Sequence, residues 1–372
     1  MERPQFGLYR AAVCDRSPVP MPSTPLSPAA LTAALKEESQ RLGFTLVGTT
    51  AAATPPRIEQ FQHWLAQGYA GQMRYLAARA EAYRHPSHVL EGVRSILMLG
   101  TNYRTVEPAA TSPGQARVSR YAWGADYHDV IRKRLRRLAD FHKRLVPHGR
   151  VRGVVDTAPL LEREFGRLAG LGWIGKNTML LNRQLGSWFF LAALLTSEEL
   201  QYDEPADDDG CGSCRACLDA CPTGALLAPY RLDARKCLSY LTIEAHGCGP
   251  SELRMPQADR LFGCDACQEA CPFNRRTPST VDEAFQPRPG MNPVELVELL
   301  TLDETAFRSR FRGTPLWRPG RQGILRNAAI ALGNRPVQAA LPALVRGLQD
   351  GEAVVRAACA WALDRYANAA PT

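Results

Sequence analysis

CGSCRACLDACP at residues 211–222 and GCDACQEACP at residues 263–272 decide how this chain is built. The first run carries Cys211, Cys214, Cys217 and Cys221 before Pro222. In that CxxCxxCxxxCP spacing three thiolates grip one cubane from a tight loop, and the fourth, past the turn, reaches a second cubane. The second run lacks the leading cysteine and keeps Cys264, Cys267 and Cys271 before Pro272. The same crossing lets Cys271 close the first cluster and sends Cys264 and Cys267 to join Cys221. One ligand is still missing, and Cys237 and Cys248 both lie between the runs. Cys237 is chosen because its segment, RLDARKCLSYL, can pack against the second loop. The expected sets are Cys211, Cys214, Cys217 and Cys271 for one 4Fe-4S cluster, and Cys221, Cys237, Cys264 and Cys267 for the other. A tetrahedral zinc site has no use for the crossing cysteine before proline. Disulfides need an oxidising compartment that nothing else in the chain suggests. Cys14, Cys248 and Cys359 are left as ordinary reduced thiols.

Outward from these runs, 372 residues at 45% hydrophobic content suggest two or three globular domains. The N-terminus MERPQFGLYR has neither an apolar signal core nor a twin arginine, and no apolar stretch approaches the roughly 20 residues that span a bilayer. A cytoplasmic protein with no membrane partner is expected. The net charge of +8 favours an anionic partner, although a modest cationic excess also keeps proteins dispersed. Its distribution is more telling: residues 301–372 hold ten arginines, no lysine and five acidic residues. Arginine suits forked phosphate contacts, so nucleic acid is a candidate partner.

Residues 1–29, rich in proline and serine, read as a leader without regular structure. From 30 to 204, helix and strand patterns alternate. LTAALKEESQRLG and RIEQFQHWLAQG read as helices, as do 127–146 and 159–170, while FTLVGTT, SILMLGTNY, VRGVVDT and SWFFLAALLT read as strands. Such alternation predicts an α/β layer. The 127–146 helix sets Ile131, Leu135, Leu138, Phe141 and Leu145 on one side and crowds Arg132, Lys133, Arg134, Arg136 and Arg137 on the rest. That basic face is either plainly solvated or a phosphate contact. Residues 205–290 form the ferredoxin-like two-cluster unit. In 291–372, RNAAIALGN and RAACAWALD recur 30 residues apart with LPALVRGLQD between them, which reads as a short HEAT-like helical repeat.

A two-cluster unit delivers electrons, so their destination belongs in the α/β part. The second cysteine run has the wrong order for radical chemistry on S-adenosylmethionine, no GxGxxG follows a strand, and no phosphate-binding Walker loop is present. GADYHDVI shares Asp126 and His128 with the DxHxxG by which some enzymes ligate cobalamin cobalt, but Ile131 stands where that motif needs glycine. His128 is therefore not read as a cobalt ligand.

Together, VDTAPLLERE at 155–164, GLGWIGKNTMLLN at 170–182, GSWFFLA at 186–192, the two cysteine runs with CLSYLTIE at 237–244, and YAWGADYH at 121–128 resemble the epoxyqueuosine reductase family over about residues 30–365. The resemblance implies cobalamin bound base-off beside two 4Fe-4S clusters. It also implies reduction of epoxyqueuosine to queuosine at the wobble position of tRNA, with electrons from a low-potential donor, and it supports Cys237 as the eighth ligand. Reductive opening of an epoxide C–O bond needs two electrons and a proton, and low-potential clusters can feed a corrinoid metal one electron at a time. Asp156 matches the family's general acid, a role that asks a dry pocket to raise its carboxyl pKa; as a helix N-cap it would do without one.

For the cofactor the resemblance points to Trp173, Lys176 and Asn177 as an apolar plate, a cation and an amide donor. Arg79, Tyr121 and Ser187 are further candidates, and Ser239 and Asp265 follow from their neighbouring cysteines. For tRNA phosphates the candidates are Arg321, Arg326 and Arg356, with a solvated repeat face as the alternative. Two competing functions use the same features. A cobalamin-dependent reductive dehalogenase would usually carry a twin-arginine signal and has no need of the arginine-rich repeat. A plain ferredoxin-type electron carrier would leave GWIGKN and VDTAP without a purpose.

Overall fold

The computed structural model describes residues 26–206 and 210–368. The expected leader, with Cys14, lies outside the described residues except for its last four, and regular structure starts before the expected boundary at residue 29. Ser27 accepts a hydrogen bond from the Ala30 N–H at 3.2 Å and caps α1 (Pro28–Arg41), whose proline sits in the first turn, where its missing N–H costs nothing.

After α1 come β1 (Leu46–Ala51), α2 (Ile58–Ala66), α3 (Arg74–Ala78), β2 (Ser95–Asn102) and β3 (Gln115–Val118). Next are α4 (Tyr127–Leu145), β4 (Val151–Val154), α5 (Glu162–Leu168), the hairpin β5 (Trp173–Ile174) with β6 (Leu180–Leu181), and β7 (Phe189–Thr196). The main sheet runs β1-β2-β7-β4 and every pairing in it is antiparallel. The alternating pattern predicted an α/β layer; the long connections instead bring each neighbour back in the opposite sense, giving an α+β arrangement. Period-2 alternation still sorts the side chains. Leu97, Leu99, Phe190, Ala192 and Leu194 pack toward α1 and α4, while Ile96, Met98, Phe189, Ala193 and Leu195 pack toward α5. Coverage on both faces explains why SILMLGTN reads as an unbroken buried run.

The cysteine unit contains α6 (Ala216–Asp219), the hairpin β8 (Leu226–Ala228) with β9 (Arg231–Leu232), α7 (Leu238–Ile243), α8 (Arg254–Gln257), β10 (Arg260–Phe262) and α9 (Ala266–Glu269). Beyond it lie β11 (Val294–Glu295), α10 (Leu296–Leu299), α11 (Glu304–Phe311), α12 (Gly320–Asn334), α13 (Leu341–Gly347) and α14 (Ala353–Asn368). The three expected domains are not separate bodies. A second sheet, ordered β10-β3-β11, takes one strand from each, and one hydrophobic core joins Val118 and Trp123, Leu261 and Phe262, and α12 to α14. Small residues let those helices close: a Cβ on Gly333 would come within 2.7 Å of the Trp361 ring and 2.9 Å of Ala362 Cα.

Candidate functional site

The thiols fall into two neighbourhoods. Cys217 senses the charges of Cys211 and Cys271, and Cys271 those of Cys211 and Cys214. Cys237 senses Cys221, Cys264 senses Cys237, and Cys267 senses both Cys237 and Cys264. Cys267 also senses Cys217 of the other group, so the two neighbourhoods adjoin. Cys248 points away from both, donating to the Val354 carbonyl at 3.3 Å and packing on the C-terminal helices. All ten described cysteines are free. Burial, with Cys237 nearby, pushes the Cys264 thiol up to about 11, and burial with the adjoining thiols raises Cys267 well above the ordinary thiol range. Crowded, dehydrated thiols of this kind become thiolates only when positive charge, such as cluster iron, joins them.

At the end of β4 the chain turns sharply, and Asp156 adopts a left-handed conformation at φ 57°, which aspartate tolerates better than most residues. The Tyr127 hydroxyl donates to its Oδ2 at 3.0 Å, and His128 Nε2 reaches the same oxygen at 3.0 Å. The other ring nitrogen of His128 faces Asp126 Oδ1 at 2.8 Å, so an imidazolium satisfies both carboxylates. Burial opposes that charge, but the hydrogen bonds and negative charges of Asp126 and Asp156 outweigh it and raise the His128 pKa to about 9. For Asp156 the balance is reversed relative to expectation. Burial pushes its carboxyl up, yet the hydrogen bonds from His128 and Tyr127 and the His128 charge hold it below the ordinary value. The raised carboxyl is Glu162, pushed up to about 8 by burial and by the charge of Asp156, while its Oε1 accepts from the Asp156 N–H at 2.9 Å. Asp156 is no helix cap, since α5 starts after Leu161.

Aromatic rings fill the space between this aspartate and the second thiol set. Tyr127 stacks on Phe190 with centroids 4.2 Å apart, and Tyr121 meets Tyr127, Phe190 and Phe262 at 6.2, 6.4 and 5.9 Å. Across the mouth, Arg318 from the C-terminal unit forms a two-pronged ion pair with Glu244 at 3.2 and 3.1 Å, and its charge is felt at Asp156. Beside Asp156, between α4 and the edge strand β4, opens a cavity of about 520 Å³. Its walls include Leu135, Ala139, Val154 and Val155, and Arg79, Arg132, Arg136 and Arg152 supply cations.

Residues 84–157 match the family model "Epoxyqueuosine reductase QueG, DUF1730", and residues 210–274 match "4Fe-4S double cluster binding domain". The epoxyqueuosine reductase of Pseudomonas aeruginosa is 43% identical over 350 residues, covering 92% of this chain and 96% of that protein. This chain belongs to the epoxyqueuosine reductase family. One solved epoxyqueuosine reductase, crystallised with an epoxyqueuosine-modified tRNA-Tyr stem loop, superposes with a TM-score of 0.85 at 33% identity, covering 90% of each chain. Another, from Bacillus subtilis, has a TM-score of 0.83 at 32% identity over 90% of each chain and is described with an aspartate-bearing catalytic loop swung out of the active site.

Within this epoxyqueuosine reductase fold, several residues expected beside the corrinoid serve the cysteine loops instead. Trp173 is 3% exposed, edge-on to Phe273 at 4.8 Å and closed over by Gly210, where a Cβ would fall 2.1 Å from the indole. It is core beneath the first loop and offers no face to a cofactor. Lys176 donates to the carbonyls of Gly212 and Cys214, and Asn177 to that of Cys267 at 3.4 Å. Ser187 is buried and accepts from Gln268 and Asn274 at 2.9 and 3.0 Å. Asp265 accepts from the Arg120 N–H at 2.8 Å, and Ser239 lies in α7 two residues past Cys237. Tyr121 meets Tyr127 beside Asp156, and Arg79 donates to the Thr157 carbonyl at 3.0 Å.

Two of the expected phosphate contacts are engaged within the protein. Arg326 is 3% exposed and donates to Asn327 Oδ1 and to the carbonyls of Leu241, Ala245 and Gly247. Arg321 pairs with Asp350 and the Leu302 carbonyl. Arg356 is exposed, with one nitrogen on the carbonyls of Asp350 and Gly351. The sequence reading missed Glu162 and the role of His128; it named Arg132 and Arg136 on a basic helix face, either solvated or contacting phosphate, but not the groove they form with Arg79 and Arg152. The DYH triplet was the available signal: an N-cap aspartate two residues before a histidine aims that histidine back across the helix start. Among the described residues no helix is long and apolar enough to cross a membrane.

Proposed function

We propose that this protein reduces epoxyqueuosine in the anticodon loop of tRNA to queuosine, using cobalamin and two 4Fe-4S clusters held by the thiol sets above. The observation that carries the reading is the Asp126–His128–Asp156–Glu162 array, set beside a ring-lined path from the second thiol set. Removing the epoxide oxygen as water takes two electrons and two protons. His128 and Glu162 each hold a proton near neutral pH, and Asp156 lies between them, its Oδ2 open at the rim with 58% of the side chain exposed. Asp156 is thus placed to pass protons to the leaving oxygen and to be recharged from His128. At rest Asp156 is ionised, so the proton it passes on is drawn from His128 or Glu162 as charge develops on the leaving oxygen.

The residues fit a corrinoid. The 520 Å³ cavity pairs an apolar wall, suited to an aromatic base, with guanidinium groups suited to a phosphate tail. Leu135, Val154 and Val155 would hold the base, and Arg79, Arg132, Arg136 and Arg152 the phosphate. When bound, the corrinoid supplies a low-potential metal centre able to deliver electrons to a carbon–oxygen bond. Tyr121, Tyr127 and Phe190 keep the intervening space apolar and exclude water from it.

The C-terminal helices are read as a short HEAT-like stack that braces the cleft through Arg318. Exposed Lys133, Arg137 and Arg356 are suited to tRNA phosphates, with affinity that falls steeply as salt rises. The wobble nucleoside must be splayed out of its loop to reach Asp156. The test is anaerobic reconstitution with iron, sulfide and cobalamin, followed by incubation with tRNA from cells lacking the protein. Epoxyqueuosine in that tRNA is expected to become queuosine; unchanged nucleoside would refute the reading.

A further inference from the structure

The route by which electrons reach the first cluster is written on the surface around Cys214. Of the ten described cysteines, Cys214 is the exposed one, while Cys271 of the same set is buried. The second set lies inward, next to Tyr121: Phe262, two residues before Cys264, meets the Tyr121 ring at 5.9 Å. Electrons therefore arrive at the outer set and move toward the cleft.

Cations flank the exposed loop, which the acidic run DEPADDD at 203–209 precedes in the sequence. The Lys176 ammonium rests on the carbonyls of Gly212 and Cys214. Arg215 lies in the loop itself, with only an exposed 3.8 Å pair to Asp219, an interaction worth little in water. Arg183 lies over Trp173 at 5.5 Å. Exposed Arg275 and Arg276 follow Phe273, which meets the same indole. Beside them Tyr230, 51% exposed, donates its N–H to the Lys176 carbonyl at 3.0 Å, and Leu227 is also exposed. An exposed aromatic side chain joined through Lys176 to the loop of an exposed cluster ligand, with cations nearby, is the kind of surface a transient electron-transfer contact uses.

We infer that a reduced one-electron carrier protein with an acidic face docks on this surface. The inference rests on the proposed two-cluster electron path. In each encounter the carrier loses one electron and the outer cluster gains it, so two encounters supply the two electrons that one epoxide consumes.

The experiment uses the full chain with both clusters reconstituted, mixed anaerobically with photoreduced flavodoxin as the acidic probe, while cluster absorbance is followed by stopped flow. Arg183→Glu and Arg276→Glu, on separate segments, are compared with Arg346→Glu on the remote helix α13. Each of the first two is expected to lower the second-order rate by about 10-fold at low salt and to flatten its salt dependence, with Arg346→Glu unchanged. Reduction by dithionite, which needs no docking, is expected to proceed equally in all variants. If neither reversal slows flavodoxin, or if both slow dithionite equally, the docking inference falls. Dithionite-driven conversion of epoxyqueuosine by the unaltered protein tests the parent reading separately: its absence would remove the function, whereas its presence with unaffected flavodoxin rates would remove only the docking surface.

Discussion

His128 Nε2 lies 3.0 Å from Asp156 Oδ2 while its Nδ1 lies 2.8 Å from Asp126 Oδ1, so the fold clamps one imidazole between two carboxylates. The clamp raises the histidine pKa from 6.5 to about 9. Its contribution to folding is therefore complete below pH 6.5 and is lost as pH rises through about 9. Turnover is expected to follow the same sign. Alkaline pH removes the protons of Glu162, near 8, and of His128, near 9, so the rate should fall over that interval, with apparent values belonging to the coupled group. His128→Asn should lower kcat by about 10²-fold or more and abolish the upper part of that limb. A rate profile unchanged in shape would remove His128 from the proton supply.

Asp156→Asn is expected to keep both clusters and the corrinoid but lose turnover. Asparagine accepts the left-handed backbone at φ 57° as readily as aspartate does, so the turn should survive. Iron content and corrinoid absorbance report integrity, and nucleoside analysis reports activity. Normal turnover in this variant would shift the proton transfer to Glu162.

The strands and the two-cluster cysteine domain were legible because both signals are local: period-2 apolar runs and fixed thiol spacing carry their own pattern. Strand direction was not, since helix–strand alternation says nothing about the sense of each return, and the sheet proved antiparallel. Trp173 and Ser187 were assigned to the wrong neighbour for a related reason. A tryptophan and a serine look alike whether they line a cofactor or lock a loop, and only the packing of Phe273 and Asn274 decides. The Asp156–Glu162 pairing was hidden because it runs backbone to side chain across a turn that breaks helical spacing.

Cys237 and Cys248 give opposite expectations. Cys237 sits beside Cys221 and Cys264 in the second set, so Cys237→Ala should lose about half the iron and sulfide while the outer cluster survives. Cys248→Ala removes a thiol bonded to the Val354 carbonyl and should leave the iron count whole. The reverse pattern, measured by metal analysis and electron paramagnetic resonance, would exchange their roles.

The basic groove predicts a defect separable from iron content. Arg132→Glu combined with Arg136→Glu places negative charge on the cavity rim, where a phosphate tail would be repelled. Corrinoid retained after gel filtration should fall by about 10-fold or more, with both clusters intact. Full retention would locate the cofactor elsewhere in the cleft.

Arg326 tests whether arginine content in the C-terminal unit means nucleic acid. Its guanidinium is 3% exposed, and burial lowers its pKa to about 10. Four acceptors depend on it: Asn327 Oδ1 and the carbonyls of Leu241, Ala245 and Gly247. Those carbonyls come from α7 and the segment after it, so the side chain ties the cysteine unit to α12. Arg326→Met matches the length of the stem but leaves the acceptors unpaired, which should cost about 2–4 kcal/mol. That cost should appear as a lowered urea midpoint. The tRNA affinity of the folded fraction and the slope of that affinity against salt should be unchanged, because removing an arginine that pairs with a phosphate would shrink the slope by about one unit. Arg356→Ala, at an exposed position, should do the opposite: an almost unaltered urea midpoint and a shallower salt dependence. A shallower slope in Arg326→Met would return that arginine to the RNA.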